Sequence, residues 1–341
     1  MVKLKDIAAA AGVSEMTVSR ALRNRGEVAS ETRRRIEEVA ARLGYVPNRI
    51  AGALASRSVS LVAVVAPSLK SQVFPEVLSG VSAALAESDL QPVIGVSTYD
   101  LAEEERVVRT MLAWRPAGFI IAGLEHTDAT RALLSAAGIP VVEIMDVDGE
   151  PIRHCVGVSH REAGRRMAKA MLARGHRRIG FIGTKMPSDF RARKRLDGFE
   201  AALGEAGVSL ADRELYAGGS TVATGRELTA TLLARRPDLD CLYYSSDVLA
   251  VGGLMHALAA GLRVPDDIAL AGFNGLDMLD GLPVRLATTN AYRFEIGREA
   301  ATIVLDALAG RGPEGPRIVR FEPEVEPGES LRGVVEAQAS G

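Results

Sequence analysis

Little in this chain of 341 residues points to catalysis, redox chemistry or a membrane. Its two cysteines, Cys155 and Cys241, lie far apart and match neither a zinc site nor a redox motif. They read as buried, reduced thiols. No apolar run approaches the length of a membrane span, and the opening MVKLKDIAAAAG lacks the apolar core of a signal peptide. A cytoplasmic protein with no membrane partner is therefore expected. There is no Walker sequence, no GxGxxG after a strand, no HExxH and no assembled Ser–His–Asp set. His126 and His160 stand alone, without metal-ligand spacing, and Trp114 reads as a packing residue. Neither an enzyme nor a metal or cofactor site is expected.

Net charge is nearly absent too: 41 Lys and Arg face 43 Asp and Glu, a balance of −2. That balance conceals a division. Residues 1–58 carry eleven basic and six acidic side chains, whereas the remainder carries 30 against 37. A basic head on an acidic body suits contact with phosphate at one end only.

What the head contains gives that charge a use. An Ala-rich helical stretch from Leu4 reaches Gly12, the chain turns through Val13, and Ser14 can cap a second helix to Leu22. This is the layout of a helix-turn-helix, two short helices joined by a brief turn that often contains Gly. Val18, Ala21 and Leu22 share one side of the second helix; Glu15, Met16, Thr17 and Arg20 lie on the rest, which is free to enter a major groove. An ordinary helical hairpin has the same pattern. Ser30 is expected to cap a third helix, with Ile36, Val39, Ala40 and Leu43 at helical spacing and Gly44 ending it. Arg can take guanine O6 and N7 together, Glu can accept from cytosine N4, and Met offers an apolar surface to a thymine methyl.

At 36.1 kDa the chain exceeds one small core and suits a headpiece plus two α/β lobes. From Ser60 onward, β-branched runs alternate with helical patterns. Candidate strands are 61–66, 92–96, 118–122, 141–145, 179–183, 242–245, 268–272 and 283–288; helical stretches include 75–86, 102–113, 161–173 and 190–206. Such alternation argues for parallel sheets covered on both faces, with a ligand at the carboxyl ends of the strands. Ala102–Thr110 reads as a solvated helix face with Glu105 and Arg109 four apart.

Leu4–Leu22, followed by VASETRRRIEEVAARLGYVPNRIAGALA at 28–55, resembles the headpiece and hinge of the lactose/galactose-repressor family of bacterial transcription regulators. The likeness continues along the whole chain. VAPSLKSQVFPEVLSGV at 65–81, AGIPVVEIMD at 137–146 and DVLAVGG at 247–253 look closest to its gluconate-operon repressor branch.

The resemblance implies an all-α helix-turn-helix headpiece (1–46), a hinge helix (47–58) and a periplasmic-binding-protein-like α/β core (59–341) of two doubly wound parallel-sheet lobes. The first lobe takes about 59–159 and 291–321, the second about 160–290 and 322–341, with crossovers near 158–160, 289–292 and 321–324. It implies a homodimer on a near-palindromic double-stranded operator, and a small effector between the lobes, either a sugar acid such as gluconate or a sugar phosphate. Glu15, Met16 and Arg20 match the family's base-reading positions; Ser14, Thr17, Ser19, Thr32 and Tyr45 match its phosphate-contacting ones. Arg23 and Ala29 depart from the Asn and Ser common there. Asn48, Ala51 and Leu54 match the hinge that enters the minor groove, Leu54 as its wedge, although Gly52 weakens helix propensity and a plain linker remains an alternative. Ser68, Phe74, Asp146, Arg193, Ser246 and Asn274 match cleft positions. For Arg193 the competing reading is a solvated member of a run with Arg191, Lys194 and Arg195. The tail past Leu331 lacks heptads, so a dimer rather than a tetramer is expected. The resemblance leaves open a corepressor-dependent regulator with a different small effector, and two other classes fit less well: a cytosolic sugar-binding protein and an enzyme of sugar-acid metabolism.

Overall fold

The computed structural model describes residues 2–22, 28–46, 59–70, 72–312 and 315–332. It forms two compact units that divide between Val59 and Ser60. The expected hinge residues Asn48, Ala51 and Leu54, and the departure at Arg23, lie outside the described residues.

The first unit contains α1 (Leu4–Ala11), α2 (Glu15–Leu22) and α3 (Ser30–Arg42). Its core is Ile7, Ala11, Val18, Ala21, Ile36 and Val39, with Tyr45 packed against it. Gly12 ends α1 in the left-handed region at φ 65°, its N–H bonding to Ala8 O. A side chain there would be strained, which is why the turn needs glycine. Ser14 Oγ accepts from the Thr17 amide at 3.1 Å and caps α2. Ser30 does not cap α3: it is the first helical residue, preceded by Ala29, which offers no side-chain acceptor.

The second unit holds two sheets. Strands β1 (Val59–Ala66), β2 (Gln91–Val96), β3 (Pro116–Ala122), β4 (Val141–Ile144), β5 (His154–Val158) and β11 (Ile318–Phe321) form the first, in the order β11-β5-β4-β3-β1-β2. Strands β6 (Ile179–Thr184), β7 (Asp212–Tyr216), β8 (Cys241–Tyr244) and β9 (Ala269–Ala271) form the second, in the order β7-β6-β8-β9, with parallel pairing. Between the lobes β10 (Thr288–Asn290) pairs antiparallel with β12 (Glu324–Glu326). The chain passes from one lobe to the other after Val158, after Asn290 and after Phe321. The apolar run expected as a strand at 283–288 begins its ladder only at Thr288, because Pro283 has no amide to give and the amides of Arg285 and Ala287 go to the Glu329 and Ser330 side chains.

Helices cover the sheets in pairs: α4 (Val73–Leu85) on α11 (Arg293–Leu308), α7 (His160–Ala173) on α8 (Phe190–Glu205), and α9 (Val222–Arg235) on α10 (Asp247–Ala259). Each pair meets backbone to backbone. A Cβ at Gly164 of α7 would strike the Arg195 carbonyl of α8, and one at Gly198 of α8 would strike the Arg161 carbonyl of α7. The remaining helices are α5 (Leu101–Ala113) and α6 (Asp128–Ala136) on the first lobe. Both cysteines are buried and unpaired. Trp114 is not a packing residue: at the end of α5 it stands 50% exposed.

Candidate functional site

In the headpiece, α2 turns Val18 and Ala21 into the core and leaves Glu15, Met16 and Arg20 in solvent. Met16 is 63% exposed on a polar helix face. Ser14 and Thr17 are hydrogen-bonded through their hydroxyls at 2.9 Å, while Ser19, Thr32 and Tyr45 are half-buried at the edges of the bundle.

In the second unit a cavity of about 250 Å³ opens between the lobes at the carboxyl ends of the strands. Lys70, Phe74, Tyr99 and Met145 line it from the first lobe; His160, Thr184, Asp189, Arg191, Arg195, Ser220, Ser245, Ser246 and Asn274 line it from the second. A larger recess, about 630 Å³, lies on the flank of the first lobe beside Pro140, Asp306 and Arg317. Its Arg317 is already paired with Glu299 at 2.6 Å, so the interlobe cavity is chemically the better site.

Arg195 is built into that cavity from three sides. Its Nη1 donates to His160 Nδ1 at 2.9 Å, Nη2 donates to the Ser245 carbonyl at 2.9 Å, and the guanidinium lies 3.8 Å from the Phe273 ring centre. Its Nε, like Ser246 Oγ, is buried with no hydrogen-bond partner among the described residues. Burial lowers the Arg195 pKa, but arginine begins so high that it stays charged. His160 Nε2 meets the Met145 carbonyl at 2.7 Å. A carbonyl can only accept and a guanidinium can only donate, so His160 is the neutral Nε2–H tautomer. Burial, and then the charges of Arg195 and Arg191, hold its pKa well below the usual histidine value.

Arg191, in the first turn of α8, lies beside Tyr99 and 5.9 Å from the Phe74 ring centre. Neither Arg191 nor Arg195 forms an ion pair within 4.0 Å among the described residues. Burial and then Asp189 push the Tyr99 phenol up to about 12, so it remains a neutral donor. The ammonium of Lys185 lies 4.6 Å from the Tyr99 ring centre, joining the lobes over the cavity. Both residues have left-handed backbones, at φ 62° and 53°, a strain that non-glycine residues carry chiefly at functional sites.

Of the expected cleft residues, the structure places Phe74, Ser246 and Asn274 on the cavity wall. Three do not line it. Ser68 Oγ accepts from the Lys70 amide at 3.1 Å in the preceding loop. Asp146 is fully buried behind Met145 and is held by Lys194 at 2.6 Å. Arg193 faces outward: it donates to the Met186 and Pro187 carbonyls and stacks over Phe190. Arg191 and Arg195 stand in its place, because residues four apart share a helix face and Arg193, two from each, points elsewhere. His160, which stands alone in the sequence, belongs to the cavity wall, and Tyr99 joins it with no sequence pattern to mark it. Asn274 is steadied by Arg293, which donates to the Asn274 and Gly275 carbonyls and pairs with Glu76 at 2.6 Å.

Among the described residues no helix is long and apolar enough to cross a membrane, and no cluster of three His, Cys, Asp or Glu could hold a metal ion. Residues 3–48 match the model described as bacterial regulatory proteins, lacI family; residues 59–322 match periplasmic binding proteins and sugar binding domain of LacI family. The HTH-type transcriptional regulator GntR of Pseudomonas aeruginosa is 40% identical over 309 residues, 90% of each chain. The regulator of the same name from Escherichia coli K12 is 34% identical over 328 residues, covering 96% of this chain and 98% of that one. A crystal structure of a LacI-family transcriptional regulator from Silicibacter pomeroyi, 56% identical, superposes with a TM-score of 0.94 over 97% of this chain and all of that one. These relatives are named as regulators, not enzymes, and the chain belongs to the lacI family of bacterial regulatory proteins as a DNA-binding transcriptional regulator.

Proposed function

We propose that this protein is a homodimeric repressor whose operator affinity is set by a sugar acid, gluconate or a near relative, held between the lobes. The observation that carries this is the pair Arg191 and Arg195, facing one cavity whose single lining carboxylate, Asp189, caps α8 and forms no ion pair within 4.0 Å with either. Planar guanidiniums suit a carboxylate, and the surrounding Thr184, Ser220, Ser246 and Asn274 suit hydroxyl groups. The buried Arg195 Nε and Ser246 Oγ, without partners among the described residues, are groups that a polyhydroxy ligand would satisfy. At about 250 Å³ the cavity falls below the roughly 300–1,000 Å³ of drug-sized sites, which favours one monosaccharide unit over two.

Glu15, Met16 and Arg20 read the operator, while Ser14, Thr17, Ser19, Thr32 and Tyr45 hold its phosphates. Asn48, Ala51 and Leu54 supply the minor-groove contact between two half-sites, which a two-fold dimer reads as a near-palindrome. Ligand binding between the lobes and operator binding by the head are linked, so each changes the other's affinity by the same factor.

Purified full-length protein is titrated with gluconate, with its phosphate ester and with neutral hexoses, by thermal shift and by operator gel shift. Stabilisation by the acid, together with a change in operator affinity, supports the proposal. A neutral sugar as the sole ligand would overturn it.

A further inference from the structure

Lys194 occupies α8 between the two cavity arginines, three residues after Arg191 and one before Arg195, yet it does not line the cavity. Its side chain is buried and reaches into the first lobe, 2.6 Å from Asp146 Oδ2 and 2.6 Å from Glu125 Oε1. The same two carboxylates act electrostatically on Arg191, after Asp189 at the start of its own helix, which acts on it more strongly. Glu125 and Arg191 even share a small recess of about 30 Å³ beside Tyr99. One ammonium thus stands between two carboxylates and the guanidinium that should meet a ligand.

Asp146 is wholly buried, and a buried carboxylate left without a cation is expensive. Without Lys194, the nearest relief is for Arg191 to turn onto Glu125 and Asp146, where a guanidinium can pair bidentately. Arg191 would then be lost to the cavity. Resting on the sugar-acid reading above, we propose that Lys194 is a positioning residue for effector selectivity. By occupying Asp146 and Glu125 it keeps Arg191 free for the carboxylate of the ligand. The preference for an acid over a neutral sugar therefore depends on a lysine that never touches the ligand.

The test is calorimetric titration of full-length wild type, Lys194→Met, Lys194→Arg and the triple variant Lys194→Met/Glu125→Gln/Asp146→Asn with gluconate. Lys194→Met should weaken gluconate about tenfold or more, the loss of one charge-assisted contact, while Lys194→Arg stays within about threefold. The triple variant should recover to within about threefold of wild type, since neither first-lobe carboxylate is left to draw Arg191 away; a lysine needed only for packing would give no such rescue. If Lys194→Met fails to fold, the triple variant decides alone, and a loss of tenfold or more there overturns the proposal. Equal gluconate affinity in wild type and Lys194→Met also overturns it. A wild type that binds no sugar acid is a separate outcome, which removes the reading of the cavity and this inference with it.

Discussion

His160 Nδ1 accepts a hydrogen bond from Arg195 while His160 Nε2 donates to the Met145 carbonyl, so one neutral imidazole joins a first-lobe backbone to a cavity arginine. The histidine opens α7 just after the chain leaves the first lobe at Val158. It is both part of the cavity wall and part of the join between lobes.

The neutrality of His160 gives stability a pH dependence. Its pKa is depressed in the folded protein, so its contribution is intact above the ordinary histidine value of about 6.5 and is lost as pH falls below it. One such group costs up to about 1.4 kcal/mol between pH 6.5 and 5.5. His160→Gln can make both hydrogen bonds without titrating, and its urea midpoint should therefore fall less than that of wild type over this interval. Parallel pH curves for the two proteins would refute the assignment.

His126 behaves in the opposite sense. It is buried between Glu104, at 2.6 Å, and Glu143, at 3.4 Å. Burial opposes its charge, but the hydrogen bond to Glu104 and the nearby charge of Glu143 outweigh that and push its pKa up to about 9. The contribution is full below pH 6.5 and lost as pH rises through 9, amounting to about 3 kcal/mol at most. His126→Gln should cost about 3–5 kcal/mol at pH 7, since it strands two buried carboxylates. Urea unfolding followed by the single tryptophan, Trp114, reports on this lobe, and an unchanged midpoint would exclude the ion cluster as a stabilising element.

The helix α8 separates its cations by face, and alanine substitutions should do the same. Arg191→Ala and Arg195→Ala are each expected to weaken a sugar-acid effector by about 10–100-fold, the range for a charged hydrogen-bonding group. Arg193→Ala should leave affinity within about threefold. Calorimetric titration of the three variants checks this, and a large loss in Arg193→Ala alone would return the site to the outer face of the helix.

Much of this was legible beforehand. The 3.6-residue periods located α2, α3, α5, α7 and α8 because each buries one face, and apolar runs located β1, β3 and β4 because central parallel strands are buried on both. Strand β7 escaped because it is a sheet edge, Asp-Arg-Glu-Leu-Tyr, whose charges and exposed Leu215 and Tyr216 give no buried pattern. Arg193 is the expectation from resemblance and from the aptness of a guanidinium near a helix start for an anion, an aptness that Arg191 and Arg195 share equally. The four-residue spacing of Arg191 and Arg195 was present in the sequence and would have paired them. His160, Tyr99 and the hold of Lys194 on Asp146 depend on residues brought together from separate elements, and no local pattern carries them.

On the DNA side, Arg20→Ala should cost about 1–3 kcal/mol on the preferred operator and relax selectivity at the base pair it reads. Thr17→Val should weaken all sequences alike, because a phosphate contact carries no sequence information. Binding of a randomised operator library to each variant separates the two. A uniform loss for Arg20→Ala would move it from the base-reading set to the phosphate-contacting one.

The glycines that let α7 and α8 touch through their main chains have a mechanical meaning. Gly164 rests on the peptide of Arg195, and Gly198 on that of Arg161, with no cushion of methyl and methylene groups to deform. The two helices are therefore packed as one beam, whose near end is the α7 N-cap Ser159. A shift of the Arg195 backbone must move α7 with it, where a layer of leucines could deform instead.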